Sequence, residues 1–120
     1  MSKRHVEKPW GHELIWAVTD RYVGKILHIK KGQSLSLQYH VKKDETVMVL
    51  KGKMAFEHYG ENEQPRVTEL GPLEPFHITP FLRHRMTALE DTDVVEVSTT
   101  ELDDVVRLED KYGRAGTSDP

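Results

Sequence analysis

The sequence predicts an all-β protein built as an antiparallel sandwich or small barrel. Three observations carry that reading. Apolar residues alternate with polar ones in short runs, the period of a pleated strand. Gly, Pro and charged pairs cut these runs at intervals of about 10 residues, the rhythm of antiparallel sheets. No interval is long enough for the crossover helix that joins parallel strands.

The elements follow in order. Val23–Lys30 (VGKILHIK) places Ile and Leu as a strand does, and Lys31-Gly32-Gln33 supplies a turn. Leu35–His40 is a second strand. Thr46–Leu50 (TVMVL) is β-branched and apolar, which predicts a buried strand. Lys51-Gly52-Lys53 turns the chain into Met54–Tyr59, and Gly60–Pro65 is a polar loop. Arg66–Leu70, Phe76–Thr79, His84–Leu89 and Val94–Thr99 complete about eight strands. Glu101–Leu108 has apolar residues at 102, 105, 106 and 108, which suits a short helix or an irregular packed strap. Glu101, Asp103 and Asp104 would cap such a helix. Lys8-Pro9-Trp10-Gly11 reads as a packing anchor, with Trp10 against the barrel.

A chain of 120 residues suits one domain, here 1–114, with 115–120 as a frayed tail. Lys plus Arg number 17 and Asp plus Glu 20, for a net charge of −3, which argues against nucleic acid or an anionic membrane as partner. The absence of cysteine excludes disulfides, thiolate metal sites and a cysteine nucleophile. No apolar run approaches the roughly 20 residues of a membrane span. The segment MSKRHVEKPWG lacks the apolar stretch of a signal peptide, so a cytoplasmic protein is expected.

Chemistry concentrates after Gly32. Gln38 and His40 lie two apart on a strand and so share a face. Glu45 follows the turn Val41–Asp44 and can return to that face. His84 opens a later strand after a Pro-containing turn. Two imidazoles, a carboxylate and an amide oxygen suit one divalent ion (Zn²⁺, Mn²⁺, Co²⁺, Fe²⁺ or Ni²⁺) with coordination positions left open. His5, His12, His28, His58 and His77 read as packed or solvent-facing histidines.

The spacing Gly32-x5-Gln38-x-His40-x4-Glu45-x6-Gly52 resembles the first motif of the cupin superfamily, with Gln in place of the first His. Arg83-His84 resembles the His of the second motif. LSLQYH (35–40), KPWG (8–11) and VRLEDKYGR (106–114) together resemble the cupin domain of type II phosphomannose isomerases, the kind related to mannose-1-phosphate guanylyltransferases. The chain departs from that pattern at three places. Lys43 replaces an Arg, Thr46-Val47 replace His-Trp, and Thr79 and Phe81 replace the Pro and Gly before the second His. An aromatic at 81 is expected to narrow the pocket mouth.

The resemblance implies a double-stranded β-helix, a jelly-roll-like barrel, with a metal held by Gln38, His40, Glu45 and His84. It implies interconversion of mannose 6-phosphate and fructose 6-phosphate by a proton shuttle through an enediol. Phosphate contacts are expected from Lys43, Arg83, Arg85, Arg107 and Arg114, and a sugar contact from Tyr112. Arg107–Arg114 reads as a strap across the barrel mouth. Lys43, Asp110 and Arg114 are the catalytic candidates, and the base stays open among Lys43, Glu109, Asp110 and a water on the metal. A homodimer is expected from the fold resemblance alone. Two other readings stand beside the isomerase: another metal-cupin enzyme, a dioxygenase or epimerase, and a non-catalytic cupin that binds a sugar or sugar phosphate.

Overall fold

A computed structural model describes residues 4–60, 64–113 and 116–117. Twelve strands fill it, and the described residues contain no helix. They are β1 (Arg4–Lys8), β2 (Gly11–Val18), β3 (Val23–Ile29), β4 (Leu37–Tyr39), β5 (Glu45–Lys51) and β6 (Met54–Tyr59), then β7 (Pro65–Leu70), β8 (Pro75–Ile78), β9 (His84–Ala88), β10 (Thr92–Ser98), β11 (Val106–Glu109) and β12 (Gly116–Thr117).

The strands form two six-stranded antiparallel sheets. The first runs β1-β2-β3-β10-β5-β8 and the second β12-β11-β4-β9-β6-β7. From β3 onward the chain crosses repeatedly between sheets: β3 in the first, β4 in the second, β5 in the first, β6 and β7 in the second, then β8, β9, β10 and β11 in alternation. This winding is the expected double-stranded β-helix.

The alternation in sequence becomes the two faces of each sheet. In β5, Val47 and Val49 point inward and are fully buried, while Thr46 and Met48 face out. In β9, Met86 and Ala88 point inward and Arg85 and Thr87 outward. The core between the sheets gathers Trp10, Leu27, Ile29, Phe56, Ile78 and Val94 with their neighbours. Phe56 is fully buried and packs on Phe76 with ring centroids 4.3 Å apart. Trp10 is 2 % exposed, as its role of anchor requires.

The structure extends the sequence reading at both ends of the chain. Arg4–Lys8 and Gly11–Val18 are strands that close the first sheet at one edge. Of the two forms expected for Glu101–Leu108, the irregular strap is the one observed, over residues 101–105, and Val106–Glu109 continues it as a strand paired with β4. Gly116–Thr117, assigned to the tail, pairs with β11, and the rest of 114–120 lies outside the described residues.

The turn between β5 and β6 depends on Gly52, at φ +96°. A Cβ there would meet Asp91 O at 2.4 Å and Thr92 Cα at 2.8 Å, both backbone atoms. Gly32 also has positive φ, +81°, but a Cβ there meets nothing within 4 Å. Gly52→Ala is therefore expected to lose about 2–3 kcal/mol in urea denaturation, and Gly32→Ala only about 1. Equal losses would show that the backbone clash at Gly52 relaxes freely.

Candidate metal centre

Three strands bring the expected ligands to one point. Glu45 begins β5, His84 begins β9 and His40 directly follows β4. Gln38 in β4 is the cross-strand partner of His84. His40, Glu45 and His84 are 2 %, 3 % and 0 % exposed, and one ligand atom from each lies within 4.8 Å of the others. His40 Nε2 is 3.5 Å and His84 Nε2 4.0 Å from Glu45 Oε1. Gln38 lines the same pocket and its Oε1 accepts a 2.7 Å hydrogen bond from the Ser36 hydroxyl.

The tautomers follow from the far side of each ring. His40 Nδ1–H donates to the Asp104 carbonyl at 2.6 Å and His84 Nδ1–H to the Leu82 carbonyl at 2.8 Å. Each Nε2 therefore carries a lone pair, and neither meets a hydrogen-bond partner among the described residues. Burial holds the His84 pKa down to about 4, beyond what the Glu45 charge restores, so the ring is neutral at neutral pH. Burial alone would raise the Glu45 pKa. The Lys43 ammonium 2.8 Å away, with His40 beside it, holds it well below the usual carboxylate range. Two imidazole Nε2 atoms without hydrogen-bond partners, aimed at one anionic oxygen, are the donor arrangement of a divalent-metal site.

Lys43 sits between two carboxylates, 2.8 Å from Glu45 and 3.1 Å from Glu96. Burial would lower its pKa, but Glu96 and Glu45 outweigh that and raise it, so it is a fixed cation. Glu96 is pushed the other way, upward, by burial and by the charge of Glu45.

Asp104, in the strap, organises the loop that carries Lys43. Its carboxylate accepts from the backbone N–H groups of Val41 at 3.0 Å, Lys42 at 2.6 Å and Lys43 at 2.8 Å. Burial acts to raise its pKa, and these three hydrogen bonds lower it by more. Sequence reasoning gave Asp104 to a helix cap. Here it caps a loop more than sixty residues away in sequence.

The pocket beside the cluster is lined by Lys43, Arg107, Leu102, Asp104 and Val105, and by Glu13, Lys25 and Glu96, which the sequence reading did not single out. Arg107 is 7 % exposed and is the cross-strand partner of Gln38. The other expected contacts lie elsewhere. Arg85 faces outward, 3.3 Å from Glu57 and 3.4 Å from Glu109. The Arg83 guanidinium lies 4.9 Å over the Tyr59 ring. The Tyr112 hydroxyl bonds Gln33 Oε1, and its ring packs on the core. The Asp110 backbone carbonyl accepts from Gly113 N in a turn, and Asp110 does not line the pocket. Phe81 is 64 % exposed, stacked on Tyr39 outside the pocket, so it does not narrow the mouth. Arg114 lies outside the described residues.

The chain resembles known proteins in sequence and in fold. The chain is 35 % identical over 119 residues to the mannose-1-phosphate guanylyltransferase ManC of Salmonella typhimurium, covering 92 % of this chain. It is 34 % identical to the mannose-1-phosphate guanylyltransferase of Escherichia coli. It spans about a quarter of the length of those relatives, 23 % in each case. Among solved structures, Bacillus subtilis oxalate decarboxylase superposes with a TM-score of 0.76 at 15 % identity, over 88 % of this chain and 30 % of that one. KdgF from Halomonas sp. superposes with a TM-score of 0.68 at 20 % identity, over 83 % of this chain and 86 % of that one. Residues 1–110 match the family described as mannose-6-phosphate isomerase C-terminal, and with the barrel already in view the relationship is plain: this chain is a small cupin belonging to that family.

Proposed function

We propose that this cupin binds one divalent metal through His40, Glu45, His84 and Gln38 and acts as an aldose–ketose isomerase on a phosphorylated sugar, in the manner of a mannose-6-phosphate isomerase. The observation that carries this reading is the pair of orphaned Nε2 atoms aimed at Glu45 inside a charged pocket. Oxalate decarboxylase from Bacillus subtilis, a structural relative, has Mn(II) centres, which supports a divalent ion in this fold.

Charge supports a phosphorylated ligand. Lys8, Lys25, Lys43 and Arg107 line the pocket against Glu13, Glu45, Glu96 and Asp104. The side chains balance, so a divalent ion leaves a net charge of plus two, which complements a phosphate dianion. A bound ion supplies Lewis-acid polarisation of the carbonyl and hydroxyl oxygens. The protein's own part is to hold both imidazoles in the lone-pair tautomer, to keep Glu45 ionised through Lys43, and to exclude water by burying all three. Of the bases nominated from sequence, Lys43 is the one that lines the pocket, and it is fixed between two carboxylates. That observation favours a second reading, a cupin that binds a sugar phosphate without turning it over.

The deciding experiment is metal analysis of protein purified without an affinity tag, joined to a mannose 6-phosphate to fructose 6-phosphate assay with each of the five metals. Stoichiometric metal and turnover are expected, both abolished in His40→Ala and His84→Ala with the β-sheet circular dichroism unchanged. Saturable binding without turnover would replace the isomerase by the binding reading. Metal content that survives both substitutions would refute the site.

Asp104→Asn keeps the side chain's shape but cannot accept all three loop N–H groups. It is expected to weaken metal affinity by about 10–100-fold in a competition titration with a chromogenic chelator. An unchanged affinity would show that the loop holds itself.

The metal-free protein is expected to lose stability on acidification. His84 titrates at about 4 folded against 6.5 for the ordinary side chain, so the unfolded chain binds the extra proton between those values. Stability is full above pH 6.5 and falls by roughly 3 kcal/mol as pH drops to about 4. Urea midpoints across that window should show the slope, and His84→Gln should flatten it.

A further inference from the structure

Glu13 on β2, Lys25 on β3 and Glu96 on β10 point inward, are 7 %, 3 % and 4 % exposed, and line the pocket that holds His40 and Glu45. Lys25 and Glu96 are direct cross-strand partners. Glu13 lies on the diagonal, its Oε1 3.5 Å from Lys25 Nζ. Glu96 in turn is 3.1 Å from Lys43 Nζ, and Lys43 is 2.8 Å from Glu45. A strip of alternating sign therefore leads away from the metal cluster along the inner wall.

Stability does not account for such a strip. Desolvating each ion costs several kcal/mol, and well-packed apolar residues in place of a buried pair are often neutral or better. The same strands show the alternative. The next inward positions are Ile15 on β2, Leu27 on β3 and Val94 on β10, all core residues. Leu27 shares the pocket wall, Ile15 and Val94 do not, and all three charged positions line it. There, carboxylates offer acceptors and an ammonium three donors. An apolar ligand would leave these groups desolvated, and a phosphate would meet two carboxylates. A chain of hydroxyl groups satisfies both signs, donating to the glutamates and accepting from the lysine.

We propose that Glu13, Lys25 and Glu96 form a hydroxyl-reading subsite beside the metal cluster, which takes the vicinal hydroxyls of a polyol chain. The proposal rests on the sugar reading of the site, but not on the phosphate, because a neutral polyol would meet the same strip.

The test is calorimetric titration of the Zn²⁺-saturated protein with mannose 6-phosphate, inorganic phosphate and mannitol. The variants are Lys25→Met, Glu13→Gln and the double substitution, which removes both charges of the pair and so guards against a misfolded single variant. Metal content and circular dichroism confirm each one. Mannose 6-phosphate should weaken by at least about tenfold in the variants, while inorganic phosphate changes by less than about threefold. Equal losses for both probes, or no loss for either, would overturn the subsite. Mannitol binding that depends on Lys25, with no binding of mannose 6-phosphate, would keep the subsite and refute the sugar-phosphate reading. If neither mannose 6-phosphate nor mannitol binds the parent protein, the subsite is refuted as well.

Discussion

Glu45 is an ionised carboxylate placed where almost no water reaches it, and the pocket is arranged around keeping it so. An isolated buried carboxylate would take up a proton rather than pay its desolvation. Lys43 prevents that from 2.8 Å, and the two imidazoles face the same oxygen. Each of these partners is in turn held by something else. His40 and His84 are fixed by backbone carbonyls, Lys43 by its second carboxylate, and the Lys43 loop by Asp104. Phe56 stacks against the His84 ring with centroids 5.8 Å apart, which joins the site to the hydrophobic core.

The middle of the barrel was legible because its strands obey one rule. TVMVL is a continuous β-branched, apolar run, as a buried strand requires, and Gln38 and His40 share a face through the strand period of two. Spacing then brought Glu45 back across the turn. The N-terminal strands hid for opposite reasons. Arg4–Lys8 is an edge strand with little burial, so its sequence is almost all polar. In Gly11–Val18 five apolar residues run together, and a register shift between Ile15 and Ala17 blurs the phase. The spacing 102, 105, 106, 108 imitates a helix, but pairing of Val106–Glu109 with β4 overrides that local pattern.

The charged residues show where the same rule could have been carried further. His84 and Met86 point inward, so Arg85 between them must point outward, and it meets Glu57 and Glu109 there. Lys25 stands in phase with Leu27 and Ile29, two core positions, which marks it as a buried cation. Glu96 is different. Val94 and Val95 flank one side of it and Val97 the other, so both faces of β10 look apolar and the sequence does not say which one is inside. Only the second sheet, packed over Val94, decides it.

Lys43 stands where the family pattern that the sequence resembles has an arginine, and the geometry gives that exchange a meaning. A guanidinium spreads its charge over a planar fork suited to paired oxygens of one anion. An ammonium is a compact charge, and here it fits between two separate carboxylates at 2.8 and 3.1 Å. The two then differ in proton affinity: Glu45 is driven down by its cations while Glu96 is driven up by burial and by Glu45 itself. One lysine thus holds one carboxylate well down as an anion and leaves the other, farther along the wall, with its proton affinity raised. The strap sets how firmly that division is held. Asp104 orders the Lys43 backbone and the His40 tautomer together, so motion of residues 101–105 would disturb the anion and its ligands at the same moment.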